Sequence, residues 1–185
     1  MSHEKKLLLK SCMLIAVTFG VLLFNLDLAV FPITVDGYTR SNYPEIFNSV
    51  ARGNEKDVQY LLTQNDANAT TRNERGQTPV HCAVLYCHMD LLDELAHFEA
   101  DLNAQDGTGM TPLHIAAWSE RVPCAQWLLE HGAKLDLRDK FGDTPLHTAA
   151  IFGAQGVYAL LLEHGADPAA KNNDGRTPRD LAVHF

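Results

Sequence analysis

The chain has 185 residues, 46% of them hydrophobic, which suits one stacked domain plus a short extra segment. Its formal net charge of -8 argues against a nucleic-acid backbone as ligand, because such a partner needs a basic stripe; the acidity reads as a solubility property. The four cysteines, Cys12, Cys82, Cys87 and Cys124, include no C-x-x-C pair, which excludes a zinc ribbon and a thioredoxin-like redox motif. Cys82 and Cys87 fall on or near one expected helix, about 7.5 Å apart in rise alone, too far for an easy disulfide. The cysteines therefore read as structural thiols.

Residues 1–37 differ from the rest. Lys5, Lys6 and Lys10 precede an apolar run from Ser11 to Phe24, and Leu28 to Phe31 continue it beyond Asn25 and Asp27. Positive charge before an apolar core is the layout of an export signal, with the N-terminus on the cytoplasmic side. Two readings stand: a cleaved signal peptide, with Val35-Asp36-Gly37 before Tyr38 as the best cleavage site, or an uncleaved N-terminal hydrophobic helix that anchors the chain in the membrane. Both of these place residues 38–185 outside the cytoplasm; the competing reading is a helix buried against the repeats.

A first helix is expected from Tyr43-Pro44-Glu45, with Ile46, Phe47 and Val50 as its apolar stripe; Arg52-Gly53-Asn54 ends it. Val58, Leu61 and Leu62 mark a second helix. This pair reads as a terminal cap, because its exposed side is polar. A nine-residue pattern then recurs. It reads Gly76 to Val84, then Gly109-Met110-Thr111-Pro112-Leu113-His114-Ile115-Ala116-Ala117, then Gly142 to Ala150; a shortened copy begins at Gly175. The threonines at 78, 111, 144 and 177 are each 33 residues apart. A fixed period of this length means a stack of supersecondary units, each copy reading as a hairpin turn followed by a helix.

The pattern explains itself locally. Gly supplies the positive φ of a tight turn. Thr caps a helix and Pro fits its first position. His81, His114 and His147 then fall at the third helical position, where the ring can reach back to the cap, much like a capping box. The alanine pairs let neighbouring helices approach. Leu61-Leu62, Leu128-Leu129 and Leu161-Leu162 repeat on the second helices, and Gly132 and Gly165 fit the left-handed position after them. Asp66 and Glu99 take that place in the two earlier units, where looser turns are expected because a non-glycine residue there costs about 1 kcal/mol.

These copies, the period and the two His-Gly-Ala helix ends resemble the ankyrin repeat family over about residues 40–185. The divisions are a cap at 43–71, repeats at 72–104, 105–137 and 138–170, and a truncated C-terminal cap at 171–185. The resemblance implies an all-α solenoid of helix–turn–helix repeats with short β-hairpin loops between them, a concave binding face, and a role in protein–protein recognition without catalysis. It also implies that the two places after each alanine pair face that groove. They hold Leu85 and Tyr86, Trp118 and Ser119, and Ile151 and Phe152; Met110 and Phe141 add to it from the hairpin tips, and Glu74, Arg75, Lys140 and Arg176 form a rim. Aromatic and Met enrichment on an exposed face is the composition of an interface core; the competing reading folds these side chains onto neighbouring repeats.

Nine histidines raise the question of metal. The repeat pattern accounts for His81, His114, His147, His131 and His164, and no H-E-x-x-H spacing occurs. Asn172 to Gly175 fails the calcium-loop frame and reads as a hairpin tip. No phosphate loop or nucleophile elbow is present. The expectation is a non-catalytic protein-binding scaffold outside the cytoplasm, with no cofactor, metal or nucleic acid and with membrane contact only through an uncleaved N-terminal segment. The alternative is a regulatory or assembly factor that tethers an envelope enzyme at the membrane.

Overall fold

The structure, a computed structural model, describes residues 45–63 and 69–182. The segment 1–37 expected to direct export, the expected helix start at Tyr43 and Pro44, Asp66 and His184 lie outside the described residues. Among the described residues, nine helices follow one another: α1 (Glu45–Ala51), α2 (Glu55–Thr63), α3 (Pro79–Tyr86), α4 (Met89–His97), α5 (Pro112–Trp118), α6 (Val122–Glu130), α7 (Pro145–Phe152), α8 (Gln155–Glu163) and α9 (Pro178–Leu181). The odd-numbered helices stack side by side as an inner row, and α2, α4, α6 and α8 form an outer row against it. No strand occurs among the described residues. The expected β-hairpins are therefore turn-bounded loops. They are tied to one another by backbone bonds from Gly107 N to Arg75 O (2.8 Å), Lys140 N to Thr108 O (3.0 Å) and Asn173 N to Phe141 O (3.0 Å).

Each full inner helix starts as its sequence dictates. Thr78, Thr111 and Thr144 stand at the cap with extended φ of -96, -93 and -84, and proline follows in the first turn. Glycine precedes them where the loop closes on its neighbour. At Gly109 φ is +82, and a Cβ there would come within 2.9 Å of Lys140 N, so only glycine fits.

The apolar stripes meet between the rows. Val80, Leu113 and Leu146 from the inner row, and Leu91, Leu92, Leu95, Leu128 and Leu161 from the outer row, are buried. Fully burying one such side chain stabilises by about 1.5–3 kcal/mol. Ala116, Ala117, Ala149 and Ala150 are wholly buried, which gives the close helix approach their size permits. At the start of the stack, α1 buries Ile46, Phe47 and Val50 against α3. At its end α9 is one turn long and Arg179 is exposed, so this end is partly solvated.

Two further expectations are corrected. The turn at Glu99 is not looser than its glycine counterparts. Glu99 takes φ 57, and its bonds, Glu99 N to Ala96 O and Ala100 N to Leu95 O (both 3.0 Å), match those at Gly132 (3.2 and 2.9 Å). The two helix-end bonds and the burial of Leu95 outweigh a penalty of about 1 kcal/mol.

Nor are all the cysteines free thiols. Cys87 and Cys124 form a disulfide, with their Cα atoms 5.8 Å apart. The pairing crosses units: Cys87 lies in the turn between α3 and α4, and Cys124 in the first turn of α6. Closing a loop across the 37-residue separation stabilises by about 4 kcal/mol in the chain-entropy account. Cys82 remains a buried thiol, and burial pushes it up to about 12.

Candidate functional site

The threonine–histidine pairs fix both the helix starts and the spacing between units. In the second full copy, the backbone N–H of Thr111 donates to His114 Nδ1 (3.1 Å), and the Thr111 hydroxyl lies 2.8 Å from the same nitrogen. A backbone N–H can only donate, so Nδ1 accepts and the proton sits on Nε2. Nε2 then donates to the carbonyl of Asp143, 3.0 Å away in the next unit. His81 reaches Met110 O (3.1 Å) and His147 reaches Arg176 O (3.1 Å) in the same way. Burial pushes the pKa of His81 and His114 down, against the opposing effect of the carbonyl bond each donates to. In the last unit Asp180 takes the histidine's place, accepting from Thr177 N (2.9 Å).

A second ladder escaped the sequence reading. Arg72, Gln105 and Arg138 each donate to the carbonyl of their own turn glycine, at 2.6, 3.0 and 3.0 Å. Each also donates to the equivalent carbonyl one unit on, Gln105, Arg138 and Lys171, at 2.6, 2.8 and 2.5 Å. Their common place six residues before each capping threonine was the available signal.

On this frame the inner-helix ends align. Tyr86, Trp118 and Phe152 close α3, α5 and α7, with Leu85 and Ile151 beside them and Ser119 just past Trp118. All six are half-buried, and Leu85, Tyr86 and Trp118 pack against the core. Trp118 meets Phe152 edge to face, with ring centroids 6.3 Å apart, which links adjacent units across the face. Tyr86 stacks on His88 at 6.1 Å. The Ser119 hydroxyl donates back to Ile115 O (2.6 Å).

The hairpin residues divide. Met110 is half-buried, and Phe141 is 50% exposed with Lys140 Nζ 5.1 Å from its ring centre. Of the expected rim, Glu74, Arg75 and Lys140 are exposed, while Arg176 is half-buried.

Behind this face runs a seam of bonds between units. Arg121 Nε donates to Leu85 O (3.2 Å), and the Glu120 carboxylate accepts from Gly156 N (3.2 Å). The backbones of α4 and α6 approach each other least among adjacent outer helices. Trp127, buried between them, donates from Nε1 to Asp93 (2.7 Å), and His131 stacks on its ring at 3.9 Å. His131 and His164 each donate from Nδ1 to the carbonyl four residues back (2.8 and 2.9 Å), satisfying a helix end. Among the described residues no group of three His, Cys, Asp or Glu side chains could hold a metal ion.

Family models described as ankyrin repeats (3 copies) and ankyrin repeats (many copies) match residues 46–139 and 131–182. The chain belongs to the ankyrin repeat family. Ankyrin repeats form a protein-binding scaffold, so the partner class this domain serves is protein. A search of curated proteins finds no match.

Proposed function

We propose that the half-buried row Leu85, Tyr86, Trp118, Ser119, Ile151 and Phe152 is the docking face for another protein, and that the domain works by binding alone, outside the cytoplasm. The observation that carries the docking site is the aligned apolar and aromatic side chains at the ends of α3, α5 and α7, held on a bonded stack. A preformed face loses little conformational freedom on binding, so its apolar anchors convert efficiently into affinity. Export is supported by the lysines before the apolar run at residues 11–24 and by a disulfide, which persists in oxidising compartments.

The test of the face is photocrosslinking. A photoreactive amino acid is placed in the full chain at Ser119, at Phe152, or at Tyr60, which lies on outer helix α2 and is 61% exposed. Adducts with one protein from Ser119 and Phe152, absent from Tyr60, support the proposal. Adducts from Tyr60 alone would move the docking site to the outer row. Location is tested by a C-terminal reporter active only outside the cytoplasm; an inactive reporter on a stable fusion contradicts export.

A further inference from the structure

We infer that the Cys87–Cys124 disulfide is a reversible redox clasp, which sets the packing of the second unit on the third and opens when the bond is reduced. The proposal stands whether or not the inner face binds a partner. Its first support is position. The bond spans the units whose outer helices, α4 and α6, approach each other least, so it stands where packing contributes least to the join.

Backbone conformation gives the second support. Among the described residues, each turn between an inner and an outer helix holds a left-handed residue. Gly53 and Gly153 fill it at φ +67 and +71, whereas Cys87 and Glu120 fill it at φ 55 and 52. A side chain there is disfavoured. Both exceptions reach the first turn of the next unit's outer helix: Glu120 by its bond to Gly156 N, Cys87 by its bond to Cys124. The strained place is thus occupied where the side chain bridges two units.

The third support is the absence of a competing thiol nearby among the described residues. Cys82 is five residues from Cys87 but buried, its Sγ 3.9 Å from Phe47 O, and its thiol is too weakly acidic to attack. Cys87 is half-buried and Cys124 fully buried, so exchange begins at Cys87.

The oxidant is a disulfide of the small-molecule or carrier-protein class. The Cys87 thiolate attacks one donor sulfur, the donor S–S bond breaks, and one donor thiolate leaves with the bonding pair. The Cys124 thiolate then attacks Cys87 Sγ in the mixed disulfide, and the second donor thiolate leaves. Two electrons pass from the protein to the donor, and the two thiol protons end on the two donor thiols. A dithiol reductant reverses the sequence.

The experiment is a thermal melt of the full-length protein with and without dithiothreitol, beside a non-reducing peptide map. The map should join the Cys87 and Cys124 peptides. Reduction should lower the melting temperature by about 8–16 °C, and oxidised glutathione should restore it. Cys87→Gly, which places glycine where Gly53 and Gly153 have it, should fold and melt independently of dithiothreitol. Cys82→Ala should keep the full response. An unchanged melting temperature on reduction would overturn the proposal, as would a map joining Cys82 to Cys124 or a Cys87→Gly protein that still responds.

Discussion

His114 accepts the backbone N–H of Thr111 on Nδ1 and donates from Nε2 to the carbonyl of Asp143, so one ring holds its own helix start and the next repeat together. Loss of a helix cap alone costs about 0.5–2 kcal/mol. The His114 side chain is wholly buried, and its removal also leaves the Asp143 carbonyl unpaired and opens a cavity. His114→Ala is therefore expected to lower unfolding free energy by about 2–4 kcal/mol. A urea melt measures it; a loss confined to the cap range would mean that the bond between repeats contributes nothing.

The same rings make stability depend on pH. His81 and His114 have folded-state pKa values below 6.5, because burial disfavours the charged ring. Between 6.5 and those lower values the unfolded chain binds more protons than the folded one. Their contribution is thus complete above 6.5 and is lost as pH falls through the folded values. The urea midpoint should drop steadily below pH 6.5, and the drop should be smaller in His114→Gln. Asp143 works in the opposite sense, since burial raises its carboxyl above 3.8 and protonation relieves that cost. Its effect belongs at lower pH, and a midpoint that rises from pH 6.5 to 5.5 would contradict the histidine account.

Glu99 should be improvable. It occupies the left-handed turn that Gly132 and Gly165 occupy elsewhere, with the same bonds. Glu99→Gly is expected to stabilise by up to about 0.6 kcal/mol, a backbone penalty of about 1 kcal/mol less the entropy glycine adds to the unfolded chain. Chemical denaturation decides it, and a destabilised variant would show that the Glu99 side chain makes up for its backbone.

Cys82 should behave unlike the bonded pair. Its thiol is buried and pushed up to about 12. Iodoacetamide should leave the Cys82 peptide unmodified in the native protein and modify it on unfolding in urea. Rapid native labelling would place Cys82 at the surface.

The repeat, its caps and its turns were legible because each is a local rule, read from residues within one period: Thr78 with His81, Gly109 before Thr111. The links between periods were not legible in this way. The pairing of Cys87 with Cys124 depends on which turn lies beside which helix, and only the place of Cys87 in the register of Gly53 and Gly153 hinted at a special side chain. Arg72, Gln105 and Arg138 act as one ladder although they differ in chemistry, so a search for identical residues passes over them. The burial of Trp118 was left open because a helix-end residue faces both core and solvent. The structure shows it doing both, against Phe152 and the core on one side and solvent on the other.

The central claim, that the inner-helix ends bind a protein partner, is tested most directly at Trp118. The partner crosslinked through Ser119 and Phe152 is titrated against wild-type protein and Trp118→Ala, with a denaturant melt of each. Trp118 is half-buried, so truncation should cost about 1–2 kcal/mol of stability, less than the 3–5 kcal/mol of a core tryptophan. Binding should weaken about 30-fold or more, as for a central aromatic anchor. Unchanged affinity in a stably folded Trp118→Ala protein would contradict the account.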